Sequence, residues 1–180
     1  RKGFASGIFN VEFTEDNPEE LVLYYGNNAQ SLDVENDCVL DRTRYNCETD
    51  ADLSEYNGQE INYWFEVEDI VGNKDTSREN SIDVDTTNPV LNNPNSFWEQ
   101  GEGRYERYIY FTFNVSEQNF DEVNYIDRND SRPIERRICS RLREGICEVR
   151  KSFSSGEHEL TINVLDKAGN SAQEIINFVV

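Results

Sequence analysis

The sequence predicts an all-β protein made of two tandem antiparallel β-sandwiches, and three observations carry that prediction. Apolar positions recur with a period of two. A strand followed by Asp-x-x-Gly-Asn occurs twice, as FEVEDIVGN at 65–73 and INVLDKAGN at 162–170, an offset of 97. No stretch shows convincing helical periodicity, residues 132–151 coming nearest. A length of 180 residues suits two domains of about 90 each.

Taken in order, Phe9, Val11 and Phe13 alternate with Asn10 and Glu12 and predict the first half-buried strand. Residues 11–28 (VEFTEDNPEELVLYYGNN) fall on residues 113–130 (FNVSEQNFDEVNYIDRND) at an offset of 102. Cys38 falls on Cys139 and Cys47 on Cys147, at offsets of 101 and 100. Ile61, Tyr63, Phe65 and Val67 alternate with Asn62, Trp64, Glu66 and Glu68, and are matched by Leu160, Ile162 and Val164. Residues 81–85 (SIDVD) and 174–180 (EIINFVV) read as the closing strands. Four anchors in the same order, with offsets shrinking as loops shorten, are what a duplicated domain leaves behind. In each Asp-x-x-Gly-Asn turn, the Asp is expected to accept backbone N–H bonds and the Gly and Asn to take positive-φ positions.

Asn88-Pro89 and Asn93-Pro94 mark the boundary, because proline stiffens a joint and cannot donate into a central ladder. The expected domains are 1–88 and 89–180. Residues 89–104 precede the first matched strand of the second domain, whereas the first domain has only a few residues before its own. The first domain is therefore expected to lack its opening strand, either because the chain is cut from a longer one or because another subunit donates it.

The stretch 155–170 (SGEHELTINVLDKAGN) resembles the penultimate strand and turn of prokaryotic immunoglobulin-like repeats, of the bacterial Ig-like and hyalin-repeat-like kind. Residues 84–90 (VDTTNPV) resemble the linker that closes one such repeat and opens the next. The resemblance covers both halves and implies the sandwich fold, with a role as a stalk or adhesive module of a cell-surface protein. The cysteine pairs are not part of the family's usual pattern.

Composition limits the function. The chain carries 17 basic and 36 acidic residues, a net charge of −19, which argues against nucleic acid and anionic membranes as partners. No apolar run reaches the roughly 20 residues of a spanning helix, so direct membrane insertion is not expected. Residues 1–88 hold 6 basic and 21 acidic groups, and residues 89–180 hold 11 and 15. Arg128, Arg132, Arg136, Arg137, Arg141, Arg143, Arg150 and Lys151 crowd the second half, a pattern suited to salt-sensitive head-to-tail contacts or to a solvated mixed face.

The four cysteines contain no CxxC and lie far from His158, so disulfides Cys38–Cys47 and Cys139–Cys147, each across a hairpin, are expected in place of a zinc site. They imply an oxidising, extracellular compartment. Glu68, Asp69, Asp83 and Asp85 are the carboxylates a Ca²⁺ ion at the domain junction would use, set against a plain turn-capping role. Otherwise no cofactor is expected. Asn114 and Asn129 begin N-glycosylation sequons, and Trp64, Tyr108 and Tyr110 fall on outward strand phases where they would stack on a glycan or a protein surface. No nucleophile, phosphate-loop or metalloprotease motif accompanies the single histidine, so the chain does not read as an enzyme. The expected function is an extracellular structural or adhesive spacer. The alternatives are a filament or lattice subunit and a carbohydrate-binding module. The expected partners are further copies, neighbouring Ig-like domains, or a cell-surface protein or glycan.

Overall fold

Alternating side chains fold into pleated strands whose inner faces close two separate cores. The computed structural model describes residues 3–180, and the chain divides into two compact units, Arg1–Thr87 and Asn88–Val180. In the first unit the strands are β1 (Gly3–Ala5), β2 (Ile8–Phe13), β3 (Pro18–Tyr25) and β4 (Asn28–Leu32), then, after helix α1 (Val34–Asp37), β5 (Cys38–Asp41), β6 (Arg44–Asp50), β7 (Glu60–Asp69), β8 (Lys74–Thr76) and β9 (Asn80–Val84). One sheet has the order β1-β9-β7-β3-β4 with β8 beside β7, and the other has the order β2-β6-β5. Leu21, Leu23, Phe65, Ile61 and Phe9 pack between them with Leu53 and Tyr56 from the connection after β6. Each such side chain fully buried contributes about 1.5–3 kcal/mol.

The second unit has β10 (Val90–Leu91), β11 (Trp98–Gln100), β12 (Tyr108–Ser116), β13 (Phe120–Asp127), β14 (Glu135–Cys139), β15 (Ile146–Ser152), β16 (Glu157–Asp166) and β17 (Ser171–Val179). One sheet is β14-β13-β16-β17. In the other, β10, β11 and β15 all pair with β12. Phe97, Ile109, Phe111, Phe113, Val123, Leu160, Ile162 and Val164 fill its core. The stretch 132–151, the nearest to helical in sequence, contributes strands β14 and β15 on opposite sheets.

Three details differ from the sequence reading. Residues 3–5 do form an opening strand in the first unit, parallel to β9 with Ala5 opposite Val84. The outer edge of β2 is what stays without a strand among the described residues. A short α-helix, α1, forms because Asp33 Oδ1 accepts from the N–H groups of Glu35 (3.0 Å) and Asn36 (3.3 Å), a local cap that no periodicity announces; 3-10 turns at Ser54–Tyr56 and Gly103–Tyr105 are equally local. Lastly, only Cys38–Cys47 bridges a hairpin, from β5 to β6, with Cα atoms 4.1 Å apart. Cys139–Cys147 joins β14 to β15 across the two sheets, with Cα atoms 6.4 Å apart. The reason is topological: β5 pairs with β6, whereas β14, at the matching place in the chain, pairs with β13 in the opposite sheet.

Strand directions follow from the ladders. In the first unit β9 is antiparallel to β7 and parallel to β1, so the chain comes in at one end of the sandwich and leaves at the other. In the second unit β10 and β11 are antiparallel to β12, and the chain returns through β13 and β16 to β17. The first and last strands therefore run the same way there too.

Candidate functional site

The repeated turn is built from backbone requirements. Gly72 and Gly169 adopt φ values of 85° and 95°, which a side-chain-bearing residue rarely tolerates. Asp69 Oδ1 accepts from the N–H groups of Val71 (2.9 Å) and Asn73 (2.8 Å), and its Oδ2 accepts from Asn73 Nδ2 (2.7 Å). Asp166 repeats the pattern with Ala168 (2.9 Å) and Asn170 (2.8 Å, and 2.7 Å to its side chain). Asn73 and Asn170 thus serve as side-chain donors to the Asp, and the positive φ falls on the glycine alone.

This geometry overturns the proposed four-carboxylate calcium group. β7 and β9 are antiparallel, and Asp83 lies opposite Glu60. Glu68 and Asp69 therefore sit at the far end of β7, roughly 26 Å away at about 3.3 Å per residue. Asp85, just beyond β9, lies at the Asp83 end and accepts from the N–H of Thr87 (3.1 Å). Glu68 pairs with Lys74 (3.0 Å), whose ammonium also meets Glu66 (2.8 Å). The two carboxylates hold the Lys74 ammonium well above its ordinary range, through hydrogen bonds first and charge second.

The Asn73 side chain, followed by the backbone N–H groups, holds the Asp69 carboxyl below its ordinary 3.8. A folded-state value below the unfolded one means that the turn's contribution is complete above the ordinary carboxylate range. It is lost as pH falls through the lowered value. Following the Val71 and Asn73 amide signals through an acid titration should therefore give an Asp69 midpoint below 3.8. A midpoint at or above that value would contradict the capping role.

The outward aromatics are divided between the two units, Trp64 in the first and Tyr108 and Tyr110 in the second. Trp64 stacks on Tyr24 across β3 and β7, with ring centroids 5.0 Å apart and planes 8° apart, so one face of the indole is taken. Tyr108, on β12 of the other unit, has the guanidiniums of Arg107 and Arg150 over its ring at 4.9 and 4.6 Å, and Arg107 Nη2 donates to its hydroxyl (2.7 Å). Tyr110 is exposed. Of the sequon asparagines, Asn114 is exposed on β12 and its Oδ1 accepts from Asn92 Nδ2 (3.0 Å). Asn129 is exposed in the turn after β13 and its Nδ2 donates to the carbonyl of Glu157 (3.3 Å).

Besides Arg150 over the Tyr108 ring, four of the crowded basic residues are engaged within their own unit. Arg136 meets Asp130 (2.7 Å), Arg137 meets Glu122, Arg128 donates to Thr161 Oγ1 (2.8 Å), and Lys151 donates to the carbonyl of Arg137 (3.0 Å). Exposed pairs of this kind contribute little individually. Arg136 and Arg137 have their charge offset by the carboxylates of Asp130 and Glu122.

One polar pair escaped the sequence reading. His158 is 8% exposed and Asp127 3%. His158 Nδ1 lies 2.6 Å from Asp127 Oδ2 and Nε2 lies 2.9 Å from the carbonyl oxygen of Ser154. Both ring nitrogens therefore have an oxygen within hydrogen-bond distance. Phe153 and Phe178 pack on the imidazole at 5.2 and 5.1 Å. Ser154 presents its backbone carbonyl to the ring. The pair ties β13 and β16 to the connection after β15.

No family model matches the chain, and no curated protein matches it in sequence. Solved structures do. The chicken CNTN1 FN1–FN3 domains match with a TM-score of 0.56 and 9% identity, over 99% of this chain and 65% of that one. The fibronectin(III)-like modules of Clostridium thermocellum CbhA match over 99% of this chain and 88% of that one, at 14% identity with a TM-score of 0.45. The likeness shows the fold, an Ig-like or fibronectin(III)-like all-β sandwich.

Proposed function

We propose that the chain is a non-catalytic spacer of an extracellular or cell-surface protein, a pair of sandwiches that hold neighbouring parts apart and bear tension. The observation that carries this reading is strand direction: each sandwich takes the chain in at one end and passes it on at the other. In the first unit β1 and β9 are parallel, so a pull on the two ends loads their hydrogen bonds together, in shear. The two disulfides support the same reading and an oxidising compartment. The acid-rich sequence favours solubility of such a spacer.

Stretching the full chain between terminal handles tests the proposal. Two discrete unfolding steps are expected, each releasing about 30 nm at roughly 3.4 Å per residue, shortened by the disulfide-closed loop until reductant is added. A gradual, step-free extension at low force would overturn the load-bearing reading. Saturable glycan binding abolished by Trp64→Ala or Tyr110→Ala would replace it with a carbohydrate-binding role.

A further inference from the structure

The two units bury the same strand differently. On β12, Phe113 and Val115 are 0% and 3% exposed. Val11 and Phe13, their counterparts on β2, pack against the first core but remain only partly buried. The difference lies at the strand's outer edge. In the second unit β10 and β11 cover that edge, and Leu91, opposite Val115, enters the core. In the first unit β2 has β6 on one side and no strand on the other among the described residues.

What lies there instead is a groove of about 190 Å³ along the seam between Val11–Phe13 and Asp75–Ser77, floored by Leu21, Phe65 and Val67. A void of about 150 Å³ lined by apolar side chains already accommodates a small apolar group. The backbone is arranged to match. The bond from Ala51 N–H to the Gly7 carbonyl (2.9 Å) sets the phase of the β2–β6 ladder. It turns the N–H and C=O groups of Ile8, Asn10 and Glu12 toward the open edge. In the second unit the matching groups are taken: Asn92 N–H donates to the Asn114 carbonyl (2.8 Å), Asn93 Nδ2 to the Thr112 carbonyl (2.8 Å), and Asn114 N–H to Asn93 Oδ1 (3.0 Å).

We propose that this seam accepts an added strand from another polypeptide, of the chemistry that residues 86–93 supply to the second unit. The incoming segment is extended and uncharged, runs antiparallel to β2, and places an aliphatic side chain in the groove where Leu91 stands in the second unit. Asparagine beside it meets the backbone groups of Asn10 and Glu12. Asp75 on the rim disfavours an acidic strand, while Glu12 beside it is paired with Arg44 (2.7 Å). This inference is independent of the spacer reading, since a sandwich transmits load with the seam filled or empty.

The test is a titration of the isotope-labelled full chain with a synthetic peptide of residues 86–95, TTNPVLNNPN, followed by NMR. Saturable shifts are expected at residues 10–14, 65–67 and 75–77, with slowed amide exchange at Glu12. The same peptide carrying Leu91→Asp should bind at least about tenfold more weakly. Shifts at the same residues when unlabelled full chain replaces the peptide would also support the seam, with a second copy as the donor. Absence of saturable shifts at millimolar peptide, or equal binding by the Leu91→Asp peptide, would overturn the proposal. The stretching result would be unaffected by either.

Discussion

Replacing Asp127 with alanine is expected to destabilise the second unit by about 1–3 kcal/mol, the cost of leaving a buried ring nitrogen of His158 without its hydrogen-bond partner. His158 Nδ1 would lose its carboxylate 2.6 Å away while Phe153 and Phe178 still exclude water. Two comparisons separate this cause from loss of packing. Asp127→Asn keeps an acceptor and should fall between wild type and the alanine variant. The double variant Asp127→Leu with His158→Phe removes both polar groups and should recover much of the loss, because apolar groups of similar size often replace a buried pair with little penalty. Each unit holds one tryptophan, Trp64 or Trp98, and Trp98 packs on Phe178 at 5.8 Å. Urea unfolding followed by fluorescence in a Trp64→Phe background therefore reads the second unit alone. A loss under about 1 kcal/mol for Asp127→Ala would mean that water reaches the pair.

Particular residues show how far the sequence could be read. Phe9, Phe111 and Leu160 alternate with polar neighbours, and alternation is a local property, so the strands were legible. The Asp69 and Asp166 turns were legible for the same reason: donor, acceptor and glycine lie within five consecutive residues. Partner choice between strands was not. Cys38 and Cys139 occupy matching places in the repeat, yet one faces a hairpin partner and the other a strand of the opposite sheet. Which sheet a strand joins depends on connection lengths and on competing edges, which leave no periodic trace. Glu68 and Asp83 looked like neighbours because they flank one hairpin, but antiparallel pairing carries them to its opposite ends. His158 and Asp127 lie 31 residues apart, and the aromatic shell around them comes from two further places in the chain. A lone histidine carries no signal of such a contact.

Truncating Phe113 to alanine is expected to cost the second unit about 3–5 kcal/mol, while Val11→Ala at the matching place in the first unit should cost about 1 kcal/mol. Phe113 is fully buried and stacks with Phe97 at 5.2 Å and Phe111 at 5.5 Å. Its removal leaves a void lined by one ring fixed in β12 and one in the segment before β11, with little freedom to collapse. Val11 borders an open groove, so truncation there enlarges a space that solvent already reaches and creates no sealed cavity. The difference in size between the two side chains accounts for part of the gap, and burial for the rest. The contribution of burial can be isolated with the seam peptide present: a bound strand would shield Val11, and the cost of Val11→Ala, measured by urea unfolding at saturating peptide, should rise. That of Phe113→Ala should stay where it was, because β10 and β11 already seal its strand.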